Sequence, residues 1–154
     1  MSIAEAALVF DRWGVPIHWH VPPDRSEVYL PDSRNLWEIL WKNREDLGGV
    51  AHTHPWTGEP SPSHTDVTTF SGLELGLGKK LVWPIVTLTD IIYLTWKGPG
   101  KYDYGHMTGR RFRLHPFNIE KLIDISTGGH HAERFASGAG AGGPAKRDLQ
   151  RPER

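Results

Sequence analysis

Cysteine is absent from the 154 residues. That excludes disulfides, thiolate zinc sites and a cysteine nucleophile together, so any bound metal must be held by histidine and carboxylate. Net charge is missing too. The 18 Lys and Arg balance 18 Asp and Glu, leaving no global basic field to draw in nucleic acid or an anionic membrane surface. No apolar run approaches the roughly 20 residues that span a bilayer, and the start "MSIAEAALVF" has neither a basic region ahead of its apolar run nor a cleavage-site pattern. The expectation is a soluble cytoplasmic protein with no nucleic-acid and no membrane partner, of a length that suits one domain with its own core.

What is present is organised by turn residues. Ala6 to Phe10 is apolar, Asp11-Arg12-Trp13-Gly14 reads as a turn, and Val15 to Val21 alternates, which together signal a hairpin. Val28-Tyr29-Leu30 suggests a third short strand before Pro31. Ser33 or Asp32 can cap a helix in which Leu36, Trp37, Leu40 and Trp41 share one face and Lys42, Arg44 and Glu45 face solvent, with Gly48-Gly49 as its end. "GVAHTHP" reads as a strand, residues 56–62 as a loop, and Ser63 as the cap of a helix to about Leu77.

Leu81 to Leu88 and Ile91 to Trp96 are strand-like, with Pro84 predicting an edge or a bulge. Gly98-Pro99-Gly100 is a turn, residues 111–114 suggest another strand, and Phe117 to Ile125 a last helix. From Gly128 the chain is Gly, Ala, Ser, Pro and charge, with Phe135 and Leu149 its only large apolar residues. Such a composition buries too little to offset ordering, so a domain over residues 1–126 and a disordered tail over 127–154 are expected.

Chemistry concentrates in "AHTHPWTGEPSPSHTD", Ala51 to Asp66. Side chains two apart on a strand share a face, so His52 and His54 can present imidazoles side by side while Thr53 points away. Asp66, one turn into the next helix, can bring a carboxylate to the same point. His, His and Asp form a three-ligand zinc set whose fourth position holds a water, acidified from a pKa of about 15.7 toward roughly 7. A carbonyl electrophile then needs an oxyanion donor, which the Ser63 hydroxyl can be. Each part alone has a plainer reading: Ser63 as a helix cap, Asp66 as a first-turn charge, an H-x-H as an ordinary strand pair like His18-Trp19-His20. Only the combination points to a site.

His52-Thr53-His54-Pro55, seven residues, then Ser63-His64-Thr65-Asp66 resembles the H-x-H-P-x7-S-x-x-D signature of the JAMM/MPN+ (JAB-domain) zinc metalloproteases, and the order of elements from about Ala4 to Trp96 is similar to that family's. The resemblance implies an α/β (α+β) fold, a mixed β-sheet flanked by helices in the cytidine-deaminase-like JAB/MPN architecture. It implies one catalytic zinc ion on His52, His54 and Asp66, with Ser63 assisting the oxyanion. The family's water-activating glutamate stands at the start of its first strand, and Glu5, just before "AALVF", is the best match; Glu27 and Glu38 are the alternatives. Substrates in the family are often ubiquitin-like or sulfur-carrier proteins cleaved after a C-terminal glycine, so an isopeptidase or peptidase acting on such a partner is expected.

Among the remaining histidines, His64, His106, His115 and the His130-His131 pair read as surface residues. Trp56, between the ligands, reads as a platform for an extended peptide, with Pro22 to Leu30 as the opposite wall. The competing reading is a binding scaffold of the same fold with little turnover. Barrel amidohydrolases, which also begin on an H-x-H, need roughly 250 residues and are excluded by size.

Overall fold

The computed structural model describes residues 3–109 and 113–129. The expected tail beyond residue 129, the His130-His131 pair and the first half of the expected strand at 111–114 lie outside the described residues. Arg113 and Leu114, which are described, are not in a strand. Thr127, assigned to the tail by composition, is buried and caps the last helix.

Among the described residues the hairpin forms as its alternation predicts, from β1 (Ala7–Asp11) and β2 (Pro16–His20) around the Asp11–Gly14 turn. Helix α1 (Arg34–Lys42) starts at Ser33, whose hydroxyl accepts from the Leu36 amide at 2.9 Å. Strand β3 (Leu47–Thr53), helix α2 (His64–Leu77), β4 (Trp83–Val86), β5 (Ile91–Trp96), β6 (Tyr104–His106) and α3 (Pro116–Ser126) follow. The six strands make one mixed sheet in the order β2-β1-β3-β4-β5-β6. Its only parallel pair is β3 with β4, joined across α2.

The sheet is covered on both faces. Ala7, Val9, Val50, Trp83, Ile85, Ile92 and Leu94 pack under α1 and α2, and Ala6, Leu8, Phe10, Ala51, Val86 and Tyr93 pack against Leu122 and Ile123 of α3. Successive residues of β1 are therefore buried on opposite faces, which is why its sequence is a continuous apolar run rather than an alternation. Among the described residues no helix is long and apolar enough to cross a membrane.

Several local expectations give way to packing. Gly48 and Gly49 do not end α1; Asn43 does, its side chain donating to the Ile39 carbonyl at 2.8 Å. The two glycines lie in β3, where a Cβ on Gly49 would stand 1.8 Å from the Val82 carbonyl oxygen and one on Gly48 2.2 Å from that of Asp11. Their role is close backbone approach. Pro84 is on neither an edge nor a bulge, because β4 is interior. Pairing of β4 with β3 holds at Gly49↔Val82 and again at His52↔Ile85, and Pro84, which has no N–H to give, falls in the gap. Val28 to Leu30 makes only an isolated Ser26↔Tyr29 bridge. On α1, Leu36 and Leu40 are buried while Trp37 and Trp41 stack on each other half in solvent.

Helix α2 is braced by a buried carboxylate. Glu74, 3% exposed, accepts from the Leu81 amide at 2.9 Å, the Trp83 indole at 2.8 Å and the Tyr104 hydroxyl at 2.6 Å, with Lys80 Nζ at 3.7 Å. Burial and this carboxylate both push the Tyr104 phenol above its ordinary range, so it remains a donor. Phe70 of the same helix stacks on Trp83, ring centroids 4.4 Å apart. These contacts fix the helix that carries Asp66. Glu74→Ala strands the three donors and should lower unfolding free energy by about 3 kcal/mol or more, read from urea denaturation; a loss under about 1 kcal/mol would contradict this brace.

Candidate metal centre

His52 lies in β3, paired with Ala7 of β1 on one side and Ile85 of β4 on the other. His54 follows the last strand residue, its backbone held by an N–H bond to the Val86 carbonyl at 2.9 Å. Both side chains point to the α2 face, and Thr53 between them to the α3 face, as strand alternation requires. Phe70 packs edge-on against the His52 ring at 6.1 Å between centroids, giving that imidazole an apolar support.

Asp66 arrives by a local device. Ser63 caps α2, its Oγ accepting from the Asp66 amide at 3.0 Å, while the Asp66 carboxylate accepts from the Ser63 amide at 2.9 Å. This reciprocal box fixes the carboxylate at the helix start. There Oδ1 lies 3.2 Å from His52 Nε2 and Oδ2 3.1 Å from His54 Nε2, and the two Nε2 atoms are 3.3 Å apart.

His52, His54 and Asp66 thus form a group that could hold a metal ion. Tetrahedral ligands about 2.0–2.1 Å from a metal such as zinc stand about 3.3 Å from one another, close to the separations found. The donor set also fits by chemistry, since two imidazole nitrogens and one carboxylate oxygen suit such an ion. Burial works against the Asp66 charge, but hydrogen bonds from both histidines, the His52 charge and the Ser63 amide hold its carboxyl well below the usual carboxylate range. The carboxylate is ionised across the working pH range, as a ligand must be.

Glu5 lies beside this group. Thr53 donates its N–H to the Ala6 carbonyl at 3.0 Å, so the register that pairs Ala7 with His52 carries Glu5 to the level of His54 on the same face. Its backbone is held despite the few residues before it: the Glu5 amide donates to the Ser26 carbonyl at 2.8 Å, and Arg25 donates to the Glu5 carbonyl at 3.0 Å. The side chain is 8% exposed. Burial pushes its carboxyl above the ordinary range, His52 and His54 pull it down, and Asp66 pushes it up. Glu27 is exposed, and Glu38 is an exposed partner of Arg34 at 3.0 Å.

No protein-family model matches the chain, and no curated protein does. The chemistry of the cluster therefore rests on its own geometry and on the motif.

Trp56 is 45% exposed and stacks on the His54 ring, centroids 4.9 Å apart. The sequence marks it as exposed and nearby; the stack comes from its amide bonding back to the His54 carbonyl at 2.7 Å, a tight turn after Pro55. Of the other histidines, His64 packs edge-on against Tyr102, His115 caps α3, and His106 closes β6. His20 is buried, its Nε2 bonded to the Pro31 carbonyl at 2.7 Å. Among the described residues none of them joins the cluster. Glu74 and the Thr53–Ser126 hydroxyl pair are the buried polar groups near the site that sequence reading passes over; Glu74 shares a helical stripe with Phe70 and Leu77, and a carboxylate in such a stripe is its signal.

Titration of metal-free protein with zinc should give one ion per chain by calorimetry. His54→Ala and Asp66→Asn should each weaken binding by at least about 100-fold. Retained affinity in both would place the ion elsewhere.

Proposed function

We propose that the chain is a zinc-dependent metallopeptidase or isopeptidase of the JAMM type. The observation that carries this reading is the meeting of Glu5 with His52, His54 and Asp66 on one sheet face, although they come from β1's approach, β3 and the start of α2. A structural His-Asp cluster has no need of a buried second carboxylate, whereas hydrolysis needs a base beside the ligands.

Bound at this cluster, zinc would supply a Lewis acid that polarises a carbonyl and acidifies water. Glu5 takes a proton from the attacking water and returns it to the leaving amine. Its buried place on the same sheet face suits that exchange, since a general base must lie within reach of the proton it takes. Ser63 stabilises the oxyanion that develops on the carbonyl. Its Oγ accepts from the Asp66 amide through one lone pair, a bond that leaves the O–H proton to donate to the oxyanion.

The resemblance implies the substrate class: a peptide or isopeptide bond after the C-terminal glycine of a ubiquitin-like or sulfur-carrier protein, met in the cytoplasm. Strand β3 has β1 and β4 on its two edges, so an extended substrate cannot add to the ligand strand itself. The walls open to it are the residues 56–62 loop and the segment Pro22 to Leu30, which holds Glu5 through Ser26 and Arg25 and exposes Val28 and Tyr29. The Trp56 ring, which begins that loop and stacks on His54, is the platform.

Cleavage of a panel of ubiquitin-like fusion proteins tests the reading. Glu5→Gln should keep one zinc per chain and lose at least about 100-fold in kcat; equal activity would remove Glu5 from the reaction. Trp56→Ala should raise KM more than it lowers kcat, and an unchanged KM would end its role as platform. Zinc-loaded wild type that cleaves nothing in the panel favours the scaffold reading instead.

A further inference from the structure

On the face of the sheet opposite the ligands, Thr53 takes part in a continuous chain of buried hydrogen bonds. The Ala6 amide donates to Thr53 Oγ1 at 2.9 Å, Thr53 Oγ1 and Ser126 Oγ are 2.8 Å apart, and Ser126 Oγ donates to the Ala4 carbonyl. The direction of the middle bond is determined by the outer two. Ser126 has one hydroxyl proton and spends it on Ala4, so Thr53 must donate to Ser126. The Ala4 amide also donates to the Ser126 carbonyl at 2.8 Å.

The two ends of this chain are the residues that bracket Glu5. Ala4, Ala6, Thr53 and Ser126 are all buried, so no water competes for these bonds. Thr53 sits between the two ligand histidines, and Ser126 ends α3, a helix that contributes nothing else to the cluster. We infer that Thr53 and Ser126 are positioning residues that lock the backbone on both sides of Glu5 to the ligand strand, setting the reach of its carboxylate to the metal centre. This rests on the reading of Glu5 as the base. The need is geometric: Glu5 lies outside β1 and so outside its strand ladder, and a base misplaced by about 1 Å loses much of its effect.

The test compares Thr53→Val, Ser126→Ala and Thr53→Ser with wild type, using the zinc-loaded full chain and the fusion protein that wild type cleaves best. Thr53→Val and Ser126→Ala should lower kcat by about 10- to 100-fold with KM within about twofold, retain one zinc per chain, and accelerate hydrogen exchange at the Ala6 amide. Thr53→Ser, which keeps the hydroxyl, should restore both kcat and amide protection. Ser126→Ala removes a single oxygen and stands in should Thr53→Val fail to fold. Wild-type kcat in both zinc-loaded variants overturns the inference, as does loss of zinc in place of kcat or a failure of Thr53→Ser to rescue. A wild-type chain that cleaves no fusion protein is a different result: it removes the reaction, and the positioning role with it.

Discussion

The antiparallel register of β1 on β3 is the constraint on which the rest depends. With Ala7 opposite His52, the approach to β1 delivers a carboxylate to the level of the second imidazole. A slip of one residue would turn Glu5 to the α3 face and the two alanines toward the cluster. Register is held by what lies on both faces: β1 is buried on each side, and the Thr53 hydroxyl bonds the Ala6 amide across the strand pair. The site is thus specified by a strand pairing as much as by its own polar residues.

Two kinds of positioning meet there. Asp66 is placed by local chemistry, a capping box that would form at the start of many helices, and it reaches the two imidazoles because Glu74, Phe70 and Trp83 hold α2 against the sheet. The histidines are placed by the strand period alone. Two imidazoles and a carboxylate within about 3.3 Å of one another in a largely buried corner form a donor set that could hold a cation in place of their mutual hydrogen bonds. Hydrogen bonds hold the Asp66 carboxyl well below the usual carboxylate range, while burial pushes that of Glu5 above it, so the two neighbouring acids differ in their affinity for protons.

What could be read from residues alone divides along the same line. Periodicity and caps are local, so the β1–β2 hairpin, the start of α1 at Ser33, the start of α2 at Ser63 and the bounds of β5 are legible, and with them His52, His54 and Asp66. Gly48-Gly49 and Pro84 are misread because their decisive contacts are with Asp11, Val82 and β3, distant in the chain: a glycine pair after a helix and one that admits a neighbouring backbone look the same in sequence. Strand β6, three residues long with Gly105 at its centre, carries too little pattern to be seen. Trp37 and Trp41 share the period of the buried face, but Leu36 and Leu40 take the core positions. Glu5 is the instructive case, because only the motif's resemblance pointed to it, and its burial and backbone anchors could not be inferred from a residue so near the start.

The central claim is that one metal ion is shared by His52, His54 and Asp66 with Glu5 facing it. Crystals grown with zinc and measured at the zinc absorption edge test it most directly. The account predicts a single strong anomalous peak between His52 Nε2, His54 Nε2 and the Asp66 carboxylate, with the Glu5 carboxylate turned toward the remaining open position. A peak coordinated by other residues, or a Glu5 side chain directed away from it, would contradict the account.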